Sequence, residues 1–105
     1  MRGASLVVLP LESEDGAGHD WFANAITSDL TTDLGDLRDT TVIGRGTARL
    51  YKGRDPRDIA RELEVRYVLR GSVRRHADRS RLNLSLVDGE SGAIRWAQTI
   101  DVPRA

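Results

Sequence analysis

Residues 5–11, Ser5-Leu6-Val7-Val8-Leu9-Pro10-Leu11, form a nearly continuous apolar run with no polar residue between Leu6 and Leu11. A strand that meets water on one face alternates apolar and polar residues; one buried on both faces does not need to, and such strands sit at the centre of parallel sheets. Pro10 has no amide hydrogen to give to a ladder and ends the strand. A parallel sheet requires crossover helices, and the chain supplies two. After a loop over Glu12–His19, with Gly16-Ala17-Gly18 inside it, Asp20 is placed to cap a helix. From Trp21 on, Phe22, Ile26, Leu30, Leu34 and Leu37 recur every three or four residues, and Gly35 is the natural stop of this helix. Thr40-Thr41-Val42-Ile43 is a short β-branched strand, and the loop Gly44–Gly53 that follows offers Leu50 and Tyr51 as packing anchors.

The second helix has the clearest start in the chain. Asp55 stands at the N-cap, Pro56 at the first helical position and Asp58 in the first turn, where negative charge meets unpaired amides. Its apolar face is Ile59, Ala60 and Leu63. A strand has to begin almost at once at Arg66, so Glu64 is expected in a left-handed conformation that glycine would adopt more easily. The rest reads as a meander of three strands, 66–75, 81–88 and 93–101, with turns at Ala77-Asp78 and Asp88-Gly89-Glu90-Ser91-Gly92.

The order β-α-β-α-β-β-β with right-handed crossovers predicts an α/β fold: a five-stranded mixed sheet of order 2-1-3-4-5, strand 4 antiparallel, with one helix on each face. In the meander, Tyr67, Leu69, Gly71, Val73, Leu82, Leu84, Leu86, Ile94, Trp96 and Ile100 are assigned to the core side. Arg70, Ser72, Arg74, Asn83, Ser85, Arg95 and Thr99 then share a polar side that no helix is left to cover. These seven are the candidate interaction face. A second candidate is the loop after the first strand, with Glu12, Glu14, Asp15, His19 and Asp20, because ligands in open α/β sheets favour the carboxyl ends of strands near the point where strand order reverses. Its spacing matches no calcium loop.

The inventory argues against catalysis. His19 and His76 lie in loops, no serine sits in a nucleophile elbow, and Gly44-Arg45-Gly46 lacks the third glycine of a dinucleotide loop and reads as a turn. No catalytic, cofactor-binding or metal-binding residue is assigned. With 105 residues, 39% hydrophobic and 30% charged, the chain fits one domain. The formal net charge of zero divides into an acidic first half and a basic second half. Opposite charges on one small domain attract each other or solvate its surface, so the basic half alone does not indicate nucleic acid. The absence of cysteine excludes a disulfide framework and a thiolate zinc site, and there is no apolar run long enough to span a bilayer.

Taken in order and spacing, Leu6-Val7-Val8-Leu9-Pro10-Leu11, Trp21-Phe22-Ala23, Tyr51-Lys52-Gly53, Ile59-Ala60-Arg61-Glu62-Leu63, Arg66-Tyr67-Val68-Leu69, Gly71-Ser72-Val73-Arg74 and Trp96-Ala97 resemble the TolB amino-terminal-like domain over about residues 5–102. The resemblance implies an anticodon-binding-domain-like fold, a bacterial origin, and a piece of a larger signalling protein. Such proteins join this domain to a class III adenylate or guanylate cyclase domain or a winged-helix DNA-binding domain, with tetratricopeptide repeats. It implies no catalytic residues. The chain departs from that pattern at Ala25 and Glu64, where glycine is common, and at Arg70, where glutamate is usual. The expectation is therefore a noncatalytic regulatory or sensory module that contacts other domains of its parent protein, a protein partner or a second copy of itself. A cell-envelope assembly domain, like TolB, is the alternative, and the side of the membrane stays open between cytoplasm and periplasm.

Overall fold

The computed structural model describes residues 4–14, 20–76 and 78–103. Six strands form one mixed sheet: β1 (Ala4–Val8), β2 (Glu12–Ser13), β3 (Thr40–Ile43), β4 (Tyr67–His76), β5 (Arg79–Asp88) and β6 (Ile94–Pro103). The helices are α1 (Asp20–Gly35), α2 (Arg45–Ala48) and α3 (Pro56–Leu63), with a 3₁₀ turn at Arg49–Tyr51. The strand order is β3-β1-β4-β5-β6, and β2 pairs with β4. β1 runs parallel to β3 and β4, β2 runs parallel to β4, and the β4–β5 and β5–β6 pairs are antiparallel.

β1 is buried on both sides. Leu6 and Val8 enter a cluster with Leu11, Ala23, Leu69, Val73, Leu82 and Leu84, against which Phe22, Ile26, Leu30 and Leu34 of α1 pack. Val7 and Leu9 enter the opposite cluster with Ala48, Ile59, Ala60, Val65, Val68 and Val87. The first helix therefore lies on one face, and α3 with α2 on the other.

Five sequence expectations are corrected, the first being that His76, expected in a loop, ends β4 opposite Arg79 because the hairpin ladder runs on to its turn. Glu12–Ser13 is not loop but strand: after the break at Pro10, β2 continues the line of β1 along β4, with Glu12 opposite Ser72 and Ser13 opposite Val73. At that break the Leu11 amide turns out of the ladder and donates to Thr27 Oγ1 at 2.9 Å, while the Thr27 hydroxyl donates to the Ala23 carbonyl at 2.8 Å, so no buried donor is orphaned. Gly44-Arg45-Gly46 leads into helix α2 rather than a turn, because Ala48 is drawn beneath β1 into the second cluster. Leu37 and Leu50 are not packing residues: they are 54% and 70% exposed, Leu37 because α1 has already ended at Gly35. Ile94 and Trp96 are not core either, at 58% and 43% exposed. A register shift sets Ile94 opposite Val87 and Trp96 opposite Leu86, so residues two apart in sequence stand against opposite faces, on an edge strand that no helix covers.

The α3 boundaries follow their local chemistry. Asp55 accepts the Arg57 amide at 2.8 Å with Pro56 behind it, and Arg61 donates to Asp58 at 2.7 Å. Glu64 closes the helix at φ 58, ψ 44, and the Val65 amide returns to the Ala60 carbonyl at 3.0 Å. The longer glutamate side chain gains nothing in this left-handed conformation, whereas Asp39, the other such residue among those described, at φ 60, has a short polar side chain that tolerates it. Glu64→Gly is expected to stabilise the domain by about 1 kcal/mol, a rise in melting temperature of roughly 4 °C. A melting temperature unchanged or lowered would contradict this account of the cap.

Candidate functional site

Beyond the reach of α3, the second face of the sheet changes character. Val68 and Val87 are buried beneath α3, but the next residues on the same side are Arg70 and Ser72 of β4 and Ser85 and Asn83 of β5. The expectation that this side lacks any helix is thus corrected: α2 and α3 cover its apolar end and leave the polar end open. Arg70 stands opposite Ser85 and Ser72 opposite Asn83, with Thr99 opposite Asn83 on β6. Thr99 Oγ1 donates to Asn83 Oδ1 at 2.8 Å, which ties the edge strand to this floor.

Arg70, Ser72, Asn83 and Ser85 form the floor of a groove of ≈ 720 Å³. Leu9, Pro10, Glu12 and Glu14 make one wall, and Lys52, Gly53 and Arg54 another. The structure therefore joins parts of two candidate sites that are separate in the sequence: Glu12 and Glu14 of the acidic loop share the groove with Arg70, Ser72, Asn83 and Ser85 of the sheet face. The junction is a direct bond, from Ser72 Oγ to Glu14 Oε2 at 2.5 Å. Asp15 and His19 lie outside the described residues; Asp20 begins α1, and its side chain is likewise outside them. Lys52 and Arg54 are members that sequence reasoning did not assign to the site. The signal was present in Tyr51-Lys52-Gly53, where Gly53 at φ 84 turns the loop back over the sheet.

The charges are mixed and partly committed. Arg54 pairs with Glu62 and its guanidinium lies 4.9 Å from the Tyr51 ring centroid, so it braces the loop. Lys52 and Arg70 have no ion pair among the described residues and are exposed. Further along the face, Arg74 stands opposite Arg81, which bonds Asp101 at 2.9 and 3.3 Å. Those bonds from Arg81 hold the Asp101 carboxyl below its ordinary range, and Asp101 in turn raises Arg81. Arg95 lies at the far end, beside the register shift. Among the described residues no group of three His, Cys, Asp or Glu side chains is placed to hold a metal ion. What the arrangement can do is recognise: an open, polar groove of mixed charge, with Gly71 in its lining, suits an extended polar segment of another chain.

The comparisons with known proteins follow this architecture. No protein-family model matches the chain. It is 44% identical over 100 residues to a Rhizobium meliloti (strain 1021) protein named Putative adenylate cyclase 3, a match that covers 92% of this chain and 17% of that protein. Among solved structures it resembles the C-terminal domain of LpoB from Escherichia coli (TM-score 0.75, 20% identity, 98% of this chain and 84% of that one). It also resembles the lipoprotein GNA1162 from Neisseria meningitidis (TM-score 0.71, 16% identity, 96% and 81%) and TolB from Acinetobacter baumannii (TM-score 0.69, 14% identity, 100% and 24%). At these identities the structures show a shared fold. The chain is a small α/β domain of the kind found in LpoB and TolB, and it spans about a sixth of the cyclase-named relative.

Proposed function

We propose that this chain is a noncatalytic regulatory module of an adenylate or guanylate cyclase-type signalling protein, acting by contact through the groove and polar sheet face. The observation that carries the reading is the 44% identity to a cyclase-named protein in a segment that is only 17% of that protein's length. The groove supports it by presenting Lys52 and Arg70 as cations that form no ion pair among the described residues. The wider architecture that the TolB-like resemblance implies, a cyclase domain or in its place a winged-helix domain, followed by tetratricopeptide repeats, belongs to the same proposal. No helix among the described residues is long and apolar enough to cross a membrane.

Reversal of both Arg70 and Arg74 to glutamate, made in a full-length protein that carries this domain, tests the proposal. The purified domain should turn over no nucleotide. In the full-length protein the double variant should weaken docking to the partner or neighbouring domain by roughly ten- to a hundredfold and shift cyclic-nucleotide output. Both arginines are exposed, so the melting temperature should change by no more than about 2 °C. Unchanged docking together with unchanged output would leave this face as solvated surface and end the proposal.

A further inference from the structure

Strand β6 is the outer edge of the sheet, ten residues long, and its outward row of backbone donors and acceptors meets no other described strand. Long open edges invite pairing, and proteins blunt them with bulges, charges and proline. Here the blunting devices lie at the two ends: the register shift beside Arg95 and Pro103. The stretch between them, Trp96-Ala97-Gln98-Thr99-Ile100, is regular, and of the described β6 residues only Ile100 is even partly buried.

We propose that β6 pairs antiparallel with β6 of a second copy about a two-fold axis at Gln98. Two copies present the same edge, so a residue whose backbone points outward can face only another that does; pairing partners must therefore be an even number of positions apart. Of the registers this allows, the one centred on Gln98 sets Trp96 against Ile100, Ala97 against Thr99 and Arg95 level with Asp101. Centring on Ala97 would set Trp96 against Gln98, and centring on Thr99 would set Ala97 against Asp101 and Ile100 against Gln98. Only the Gln98 register matches apolar to apolar, small to small and cation to anion.

The faces agree with that choice. Trp96, Gln98 and Ile100 stand opposite Leu86, Leu84 and Leu82, so the Trp96–Ile100 pairs would extend the apolar layer beneath α1 across the axis and cover an indole that is now 43% exposed. Paired carboxamides at Gln98 can donate and accept reciprocally. On the other face, Arg95 has no ion pair among the described residues, and Asp101, whose oxygens already accept from Arg81, retains lone pairs for a second guanidinium. Because the axis stands normal to the sheet, both grooves would open on the same side of a continuous sheet. This proposal is independent of the regulatory one.

Sedimentation of the chain over a concentration series tests the proposal and should show reversible dimers. Gln98 faces itself across the axis in this register alone. Gln98→Lys and Gln98→Glu should therefore each raise the dimer dissociation constant by roughly five- to tenfold, through like charges set side by side. An equimolar mixture of the two variants should recover wild-type affinity or better, with all melting curves superposed at concentrations too low for dimers to form. A chain monomeric at every concentration would overturn the proposal, as would homodimers of both variants as tight as wild type, which would place the contact on another face.

Discussion

Gly71→Ala is expected to destabilise the domain by about 3 kcal/mol, at the upper end of what one added methyl normally costs. A Cβ at Gly71 would lie 2.0 Å from the backbone oxygen of Asn83 and 3.1 Å from both the Asn83 carbonyl carbon and Leu84 Cδ2. The nearest of these is backbone and cannot rotate away, so β4 and β5 would have to separate across a ladder that holds Gly71 opposite Leu84. The same two strands carry Arg70, Ser72, Asn83 and Ser85, so the groove floor should distort with the ladder. Chemical denaturation should show the loss, and binding to the groove should fall with it. Gly46→Ala is the contrasting control: nothing lies within 4 Å of a Cβ there, the position is inside α2, and alanine should add up to about 1 kcal/mol. If Gly71→Ala melts like wild type, the close approach of β4 and β5 at this point is wrong.

The contrast between these glycines bears on what the sequence could and could not disclose. The centre of the fold was legible because its signals are local and redundant: an apolar run from Leu6 to Leu11 buried on both faces, an aspartate and a proline in the right order before α3, and a residue after Leu63 forced to turn left-handed. The grouping of Arg70, Ser72, Asn83, Ser85 and Thr99 was legible for the same reason, since alternation along a strand fixes faces without reference to anything distant.

What stayed hidden depends on long-range partners. Glu12–Ser13 has no strand propensity, and it is a strand only because β4 runs on past the end of β1. The acidic loop's place in the groove depends on that same pairing. Ile94 and Trp96 look like core by alternation, but the register shift that sends them to opposite faces leaves no mark in their residue types. Lys52 and Arg54 reach the groove through a loop whose direction is set at Gly53.

Ile59→Ala should cost about 3–4 kcal/mol and lower the melting temperature by roughly 15–20 °C. Ile59 is 0% exposed and among the largest fully enclosed side chains of the molecule. Apart from Leu9, the buried residues of the cluster it fills are valines and alanines, Val7, Ala48, Ala60, Val65, Val68 and Val87, with Ile43, Tyr51 and Leu63 packed against them. The valines and alanines are too short to reach into the space that truncation leaves, so the cavity closes only in part. The helix that carries it magnifies the effect, for α3 has eight residues, too few to persist alone in water, and Ile59 and Ala60 are its only buried residues. The loss should therefore be local before it is global. Hydrogen exchange should show α3 amides losing protection while α1, held by Phe22, Ile26, Leu30 and Leu34 against the other face, keeps its own. Ile59→Val, which removes one methyl, should cost about 1 kcal/mol. The groove lies beside this cluster and shares Leu9 with it, so α3 is also what keeps the polar floor from opening onto an apolar one. A loss in Ile59→Ala no greater than in Ile59→Val, or equal deprotection of α1 and α3, would show that the two faces do not form separate cores.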